Sequence, residues 1–315
     1  MKVAFFGVKS WEKETIEREI NRLNAYGVGI YQQEAHEAVE LVKGYDIISV
    51  FIYSQMNENI LNQLPNLKYI ATRSTGVDHI DKLCCEKKCV LVGSVPEYGT
   101  KTVAEYTMAL MLAVTKKIVS AHQAVENDEF SPTGLTGIDL DGCTLGVVGV
   151  GKIGSQVVKY AKAFGMKVIA VDSKGDLNDL LSRSDIVTLH VPSIPSTHHL
   201  INKQNIKLMK KGSYLINTCR GAVVETSALV WALNKGILAG AGLDVVEEEN
   251  LVEQVSVVTE KKITKESLQN LLSYHMLRDR DDVVFTPHNA FNTKQAIERI
   301  VKTTVNNINL FIDKK

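Results

Sequence analysis

The 315-residue sequence has no excess charge of either sign: 36 Lys and Arg stand against 36 Asp and Glu. That balance, with no basic run, excludes a polybasic nucleic-acid binder or a membrane-surface protein. No uncharged apolar run approaches the ~20 residues that span a bilayer. The apolar stretch at the N-terminus is shorter than the roughly 7–15 residues of a signal-peptide core. Five cysteines (Cys84, Cys85, Cys89, Cys143 and Cys219) are odd in number and contain no CxxC pair. No histidine follows the Cys84–Cys89 group at ligand spacing. A disulfide framework and a zinc site are therefore disfavoured; reduced thiols in a cytoplasmic protein are expected, and no metal. Low-complexity tracts and short-period repeats are also missing.

What is present is an ordinary globular composition, 45% hydrophobic, in a chain long enough for two domains. Strand-like and helix-like segments alternate almost throughout. Strands are expected at residues 2–7, 28–31, 46–51, 68–72 and 89–92. Helices are expected at 11–26 (capped by Ser10), 34–42, 57–64 and 79–87. Pro96 and Gly99 punctuate the chain. A helix at about 102–119 follows, apolar on most sides, which predicts burial all round, between domains or between subunits. A loop at 127–142 leads to a second series, with strands at 144–149, 167–171, 185–190, 213–217, 240–245 and 283–286. A final amphipathic helix is expected at about 293–312. Two βα series imply an α/β protein of two doubly wound, parallel-sheet, Rossmann-like domains with the active site in a cleft between them.

The strongest local signal is Gly149-Val-Gly151-Lys152-Ile153-Gly154, entered from an apolar strand and opening a helix. The first glycine permits the tight turn, the second lets backbone approach a pyrophosphate, and the third lets helix and strand pack closely. The phosphates would rest on the N–H groups of the helix N-terminus. Asp172 ends the next strand, where a carboxylate accepts hydrogen bonds from ribose hydroxyls and repels a 2′-phosphate, favouring NAD over NADP. Lys174 lies close by in sequence.

Further polar residues follow the later strands. Arg220 comes after 213–216, Asp244 and the acids Glu247, Glu248 and Glu249 after 239–243, and His288 after 283–285. A nicotinamide enzyme acting on a hydroxy acid needs a fixed cation for the carboxylate, which arginine's planar fork suits. It needs a proton carrier, which histidine supplies. A carboxylate that orients the imidazole and favours its charged form completes the set. Taken singly, such residues are more often surface ion pairs or solvated faces; their shared position at one predicted sheet edge is what joins them.

With these residues in view, the chain resembles the D-isomer-specific 2-hydroxyacid dehydrogenases over nearly its whole length. The carriers are ATRSTGVDHID from Ala71 to Asp81, VPEY from Val95, TVAE from Thr102, the VGVGKIG turn, LHVP from Leu189, INTCRG ending at Gly221, GLDVVEEE ending at Glu249, and TPHNAF ending at Phe291. The resemblance implies that Arg220 binds the substrate, that His288 is the acid/base and that Glu249 is its partner. It implies substrate contacts at Arg73, Gly76, Val77 and Tyr98. Val191, Pro192, Thr197, Thr218, Cys219 and Asp244 would line the cofactor. It further implies a homodimer, and a domain division of residues 1–100 plus 292–315 for substrate and 101–291 for NAD. Phe291 resembles the lactate-type subgroup. Cys219 stands where alanine or serine is usual, Asn289 replaces a more apolar residue, and the segment from Asp172 to Asp185 is short, leaving room only for a small helix at 176–182. Residues 250–282 resemble a variable insertion.

Overall fold

A computed structural model describes residues 1–249 and 264–314. The chain divides into two compact units: Met1–Tyr98 with Asn292–Lys315, and Gly99–Phe291.

In the smaller unit, β1 (Lys2–Phe5), α1 (Ser10–Glu19), β2 (Gly27–Ile30), α2 (Val39–Val42), β3 (Ile47–Val50), α3 (Glu58–Asn62), β4 (Tyr69–Thr72), α4 (Lys82–Lys87) and β5 (Leu91–Gly93) follow in turn. The sheet is parallel, in the order β2-β1-β3-β4-β5. Alternation along the strands divides the core between its two faces. Ala4, Ile48, Val50 and Ile70 pack on one side with Leu61, Cys84 and Cys85. Val3, Phe5, Ile47 and Tyr69 pack on the other with Ile16 and with Val301, Ile308 and Phe311 of the C-terminal helix Lys294–Asp313. That helix, started by Thr293, whose hydroxyl accepts from Ala296 N, returns the end of the chain to the first sheet.

Several helices are shorter than the sequence predicts. Lys9, not Ser10, is the residue before α1, which gives way to a 3₁₀ turn at Ile20–Arg22. The helix expected at 34–42 forms only at its end. Glu34 accepts bonds from Lys9 Nζ and Ser54 Oγ, and Ala35 N donates to Ser54 Oγ, so side-chain partners fix this backbone outside a helix.

The larger unit begins with α5 (Thr100–Thr115) and α6 (Ile118–Glu126), separated by Lys117 in a left-handed conformation. Then come β6 (Thr144–Val148), α7 (Lys152–Ala163), β7 (Lys167–Val171), α8 (Leu177–Arg183), β8 (Ile186–Leu189), β9 (Ser213–Asn217), α9 (Thr226–Asn234), β10 (Leu238–Leu243), α10 (Lys265–Arg278) and β11 (Val283–Phe285). The sheet is parallel, in the order β11-β10-β9-β8-β6-β7. Asp176 caps the short α8 through Asp179 N. The burial of α5 is satisfied within its own unit: Ala104, Leu110, Met111 and Val114 pack with Leu145, Val147 and Ile216. Its apolarity therefore calls for no second subunit. The expected insertion at 250–282 is α10 in its latter part; its first part, through residue 263, lies outside the described residues. Among those residues no helix is long and apolar enough to cross a membrane.

Candidate active site

The register of the larger sheet fixes where its loops begin. Phe285 pairs with Leu243, Leu243 with Asn217, Asn217 with Leu189, Leu189 with Val148 and Val148 with Val171. All six strands thus end in one row, about 5 Å per strand step. The candidate residues follow that row at once: Asp172 after β7, Gly149 after β6, Thr218 and Arg220 after β9, Asp244 after β10 and His288 after β11. The order reverses at β6, whose neighbours are β7 and β8, which makes this carboxyl edge the switch point where open α/β sheets bind ligands.

At that point the chain turns sharply. Gly149 has φ +92°, and a Cβ there would lie 2.5 Å from His190 O. A Cβ at Gly154 would lie 2.0 Å from Gly149 O, so only glycine lets α7 pack this closely against the turn. At Gly151, by contrast, a Cβ would meet nothing within 4 Å. Open backbone facing the N-terminus of a twelve-residue helix is the shape a pyrophosphate requires, so the residues fit a dinucleotide. Lys152 and Ile153 open that helix. Asp172 lies exposed at the end of β7, its Oδ1 accepting from Lys174 N at 3.0 Å. Thr197 binds Pro192 O and Ile194, closing the turn that carries Val191 and Pro192.

Of the three consecutive glutamates, each has a different partner. Glu247 turns to His199 and Thr226, Glu248 to Ser267 on α10, and Glu249 to His288, whose Nδ1 lies 2.8 Å from its Oε2. His288 itself has φ +47°, an uncommon backbone for a non-glycine residue. Asp244 holds it there. Its backbone oxygen accepts from His288 N, and its buried carboxylate accepts from Thr286 Oγ1, Asn289 N and Ala290 N at 2.6–2.8 Å. Burial pushes the Asp244 carboxyl above its ordinary range, against the pull of those donors.

Arg220 follows β9 in extended backbone, its Nη1 donating to Cys219 O. Asn217, a polar residue ending an apolar strand, was not singled out from the sequence, yet it braces this loop. Its Nδ2 donates to Arg220 O and its Oδ1 accepts from Cys219 N. Burial pushes the Cys219 thiol upward, keeping it protonated.

In the smaller unit, Gly76 and Val77 lie on the loop after β4. Ser74 Oγ donates to Gly76 O, and Thr72 Oγ1 links Ser74 to the buried His79. His79, inside the ATRSTGVDHID motif, thus braces this loop. Arg299 Nε donates to Tyr98 O, fixing that backbone. Arg73 corrects an expectation. It is wholly buried, and its guanidinium donates to both oxygens of Glu12, to Ser49 Oγ and to Phe6 O. Buried with these partners inside the unit, its side chain serves the scaffold in place of the expected substrate contact.

An open parallel sheet with a glycine turn at its switch point and a paired histidine at the same edge is the arrangement of a dinucleotide-binding domain of the Rossmann class with an acid–base group beside it. Residues 108–290 match the family model for the NAD-binding domain of D-isomer-specific 2-hydroxyacid dehydrogenases. The chain is 36% identical over 290 residues to a glyoxylate reductase of Thermofilum pendens, covering 86% of this chain and 80% of that protein. It is 35% identical over 285 residues to an aromatic 2-oxoacid reductase of Clostridium sporogenes, covering 86% and 84%. Among solved structures, D-lactate dehydrogenase from Aquifex aeolicus, complexed with NAD and lactic acid, aligns with a TM-score of 0.87 at 37% identity over 99% of this chain and 96% of that one. The chain belongs to the D-isomer-specific 2-hydroxyacid dehydrogenase family, and NAD is its cofactor.

Proposed function

We propose that the chain is a cytoplasmic, NAD-dependent D-lactate dehydrogenase that interconverts D-lactate and pyruvate. The observation that carries the chemistry is the 2.8 Å bond between Glu249 and His288 Nδ1. With Nδ1 so occupied, Nε2 is the ring atom that hands a proton to the substrate oxygen or takes one from it. Glu249 fixes the orientation of the ring. Arg220 holds the carboxylate and stabilises charge developing on the oxygen. Gly76, Val77 and Tyr98 are the further substrate contacts. The Gly149–Gly154 turn and Asp172 would hold NAD, whose nicotinamide would supply or accept the hydride. Pyruvate is favoured by the likeness to the Aquifex aeolicus enzyme and by Phe291, whose ring stands edge-on to His288 at 6.4 Å.

The test is NADH oxidation with pyruvate, glyoxylate, hydroxypyruvate, a branched-chain and an aromatic 2-oxo acid. Pyruvate should give the highest kcat/KM and a D-configured product. His288→Ala should lower kcat by about 10²–10⁴-fold. A higher kcat/KM for another oxo acid overturns the substrate. Tight NADH binding without turnover of any of them would instead identify a non-catalytic NAD sensor.

The same reading includes a homodimer. Its support is α6, where Ile118 is 55% and Val125 52% exposed. Sedimentation at micromolar concentration should show a dimer that Ile118→Asp disperses.

A further inference from the structure

We propose that His198, His199 and Glu247 form a binding site for one divalent transition-metal ion of the zinc class. The three are separate from the residues assigned to substrate and cofactor. One ligand atom from each lies within 4.8 Å of the other two.

Chain neighbours in extended backbone point to opposite faces, so adjacent histidines ordinarily cannot share a ligand. Here His199 has φ +49°, and with that left-handed turn the two rings lie side by side, centroids 4.0 Å apart and planes tilted by 31°. Glu247 is buried and oriented in advance. Its Oε2 accepts from Thr226 N at 2.7 Å and Thr226 Oγ1 at 2.6 Å, which aims Oε1 at His199 Nε2, 2.5 Å away. Outer partners that fix a carboxylate in this way are a feature of metal sites.

Two imidazoles and one carboxylate suit zinc, nickel or copper; magnesium and calcium ask for more oxygen. Zinc bonds of ~2.0–2.2 Å put tetrahedral ligands ~3.3 Å apart, so the His199–Glu247 contact opens by under ~1 Å and His198 closes in. Water takes the fourth position. The expectation of no metal rested on cysteine spacing. Glu247 lies 48 residues beyond His199, and only folding joins it to the histidine pair.

The site would also act as a clasp. His199 N donates to Ala222 O, and Ile201 N to Val223 O, in the turn that follows Arg220, while Glu247 stands two residues before Glu249. Bound metal therefore ties together the loops that carry both.

The 315-residue chain, stripped with EDTA and titrated with ZnCl2 by calorimetry, should bind a single equivalent and gain thermal stability; MgCl2 should do neither. His198→Ala should weaken zinc binding by roughly 10–100-fold or more while leaving turnover in EDTA unchanged. Glu247→Gln should weaken it likewise; if that variant fails to fold, the His198→Ala result stands alone. Bound Co²⁺ should give visible bands without the intense thiolate absorption of a cysteine site. Absence of zinc binding overturns the proposal, as does zinc affinity unaltered by His198→Ala or a thiolate spectrum, which would move the metal to the cysteines.

Discussion

The two units place an arginine in nearly the same local setting, and the outcomes are opposite. Arg73 directly follows β4 of the smaller sheet, and Arg220 lies three residues beyond β9 of the larger. Arg73 is fully buried, paired through Nε and Nη2 with an equally buried Glu12. Arg220 keeps partial exposure at an edge whose neighbouring pair, His288 and Glu249, is itself 22% and 29% exposed. Burial with a dedicated partner makes an arginine part of the scaffold; placement at an open edge leaves it able to meet a ligand. The smaller unit closes its β4 end around an ion pair, and the larger unit holds its charged groups at the surface of the sheet edge.

The sharpest way to break this contrast is to remove each arginine. Arg73→Ala leaves Glu12 as a buried carboxylate without its cation and should cost about 3–5 kcal/mol in urea denaturation. Arg220→Ala should cost under about 1 kcal/mol while collapsing kcat/KM, and Arg220→Lys should not restore it. Equal losses of stability in the two variants would erase the distinction.

His190 sharpens the comparison inside the larger unit, as a group at the same edge that the fold keeps neutral. Burial pulls its pKa down from 6.5 to about 4, and its Nε2 lies 3.0 Å from Thr188 Oγ1. Well above pH 6.5 the ring is neutral whether the chain is folded or not, so there it contributes no pH dependence. As pH falls from 6.5 towards 4, the unfolded chain takes up a proton that the fold refuses, and stability declines. Wild type should lose up to roughly 3 kcal/mol relative to His190→Gln across that window, measured by urea denaturation at each pH. Parallel pH profiles for the two proteins would refute it.

The smallest effect distinguishes the glutamates. Glu249→Gln should lower kcat at least tenfold, within the general range of acid–base catalysis. Glu248→Gln, which among the described residues alters bonds to Ser267 and Asn270 near the surface, should change stability by less than about 0.5 kcal/mol and leave kinetics alone.

Much of this was legible in the sequence because it is local. Apolar runs marked the strands, and the turn after β6 announced itself through glycines that its backbone geometry demands. The short helix after Asp172 followed from the count of residues available. What could not be read there depends on distant partners. Glu12 lies 61 residues before Arg73, and nothing near Arg73 distinguishes it from Arg220. The partial loss of the helix before β3 depends on Ser54 and Lys9, again remote in sequence. Three adjacent glutamates look alike as a string. Only the resemblance singled out Glu249, and only the fold gives each its own partner.

The return of the C-terminal helix to the first sheet has a consequence for the order of assembly. During synthesis the larger unit has its full complement of residues while the smaller one still lacks Val301, Ile308 and Phe311, which cover one face of its strands. The unit that begins later in the chain is therefore the first to be completely translated and able to fold, reversing the usual N-to-C sequence of events on the ribosome.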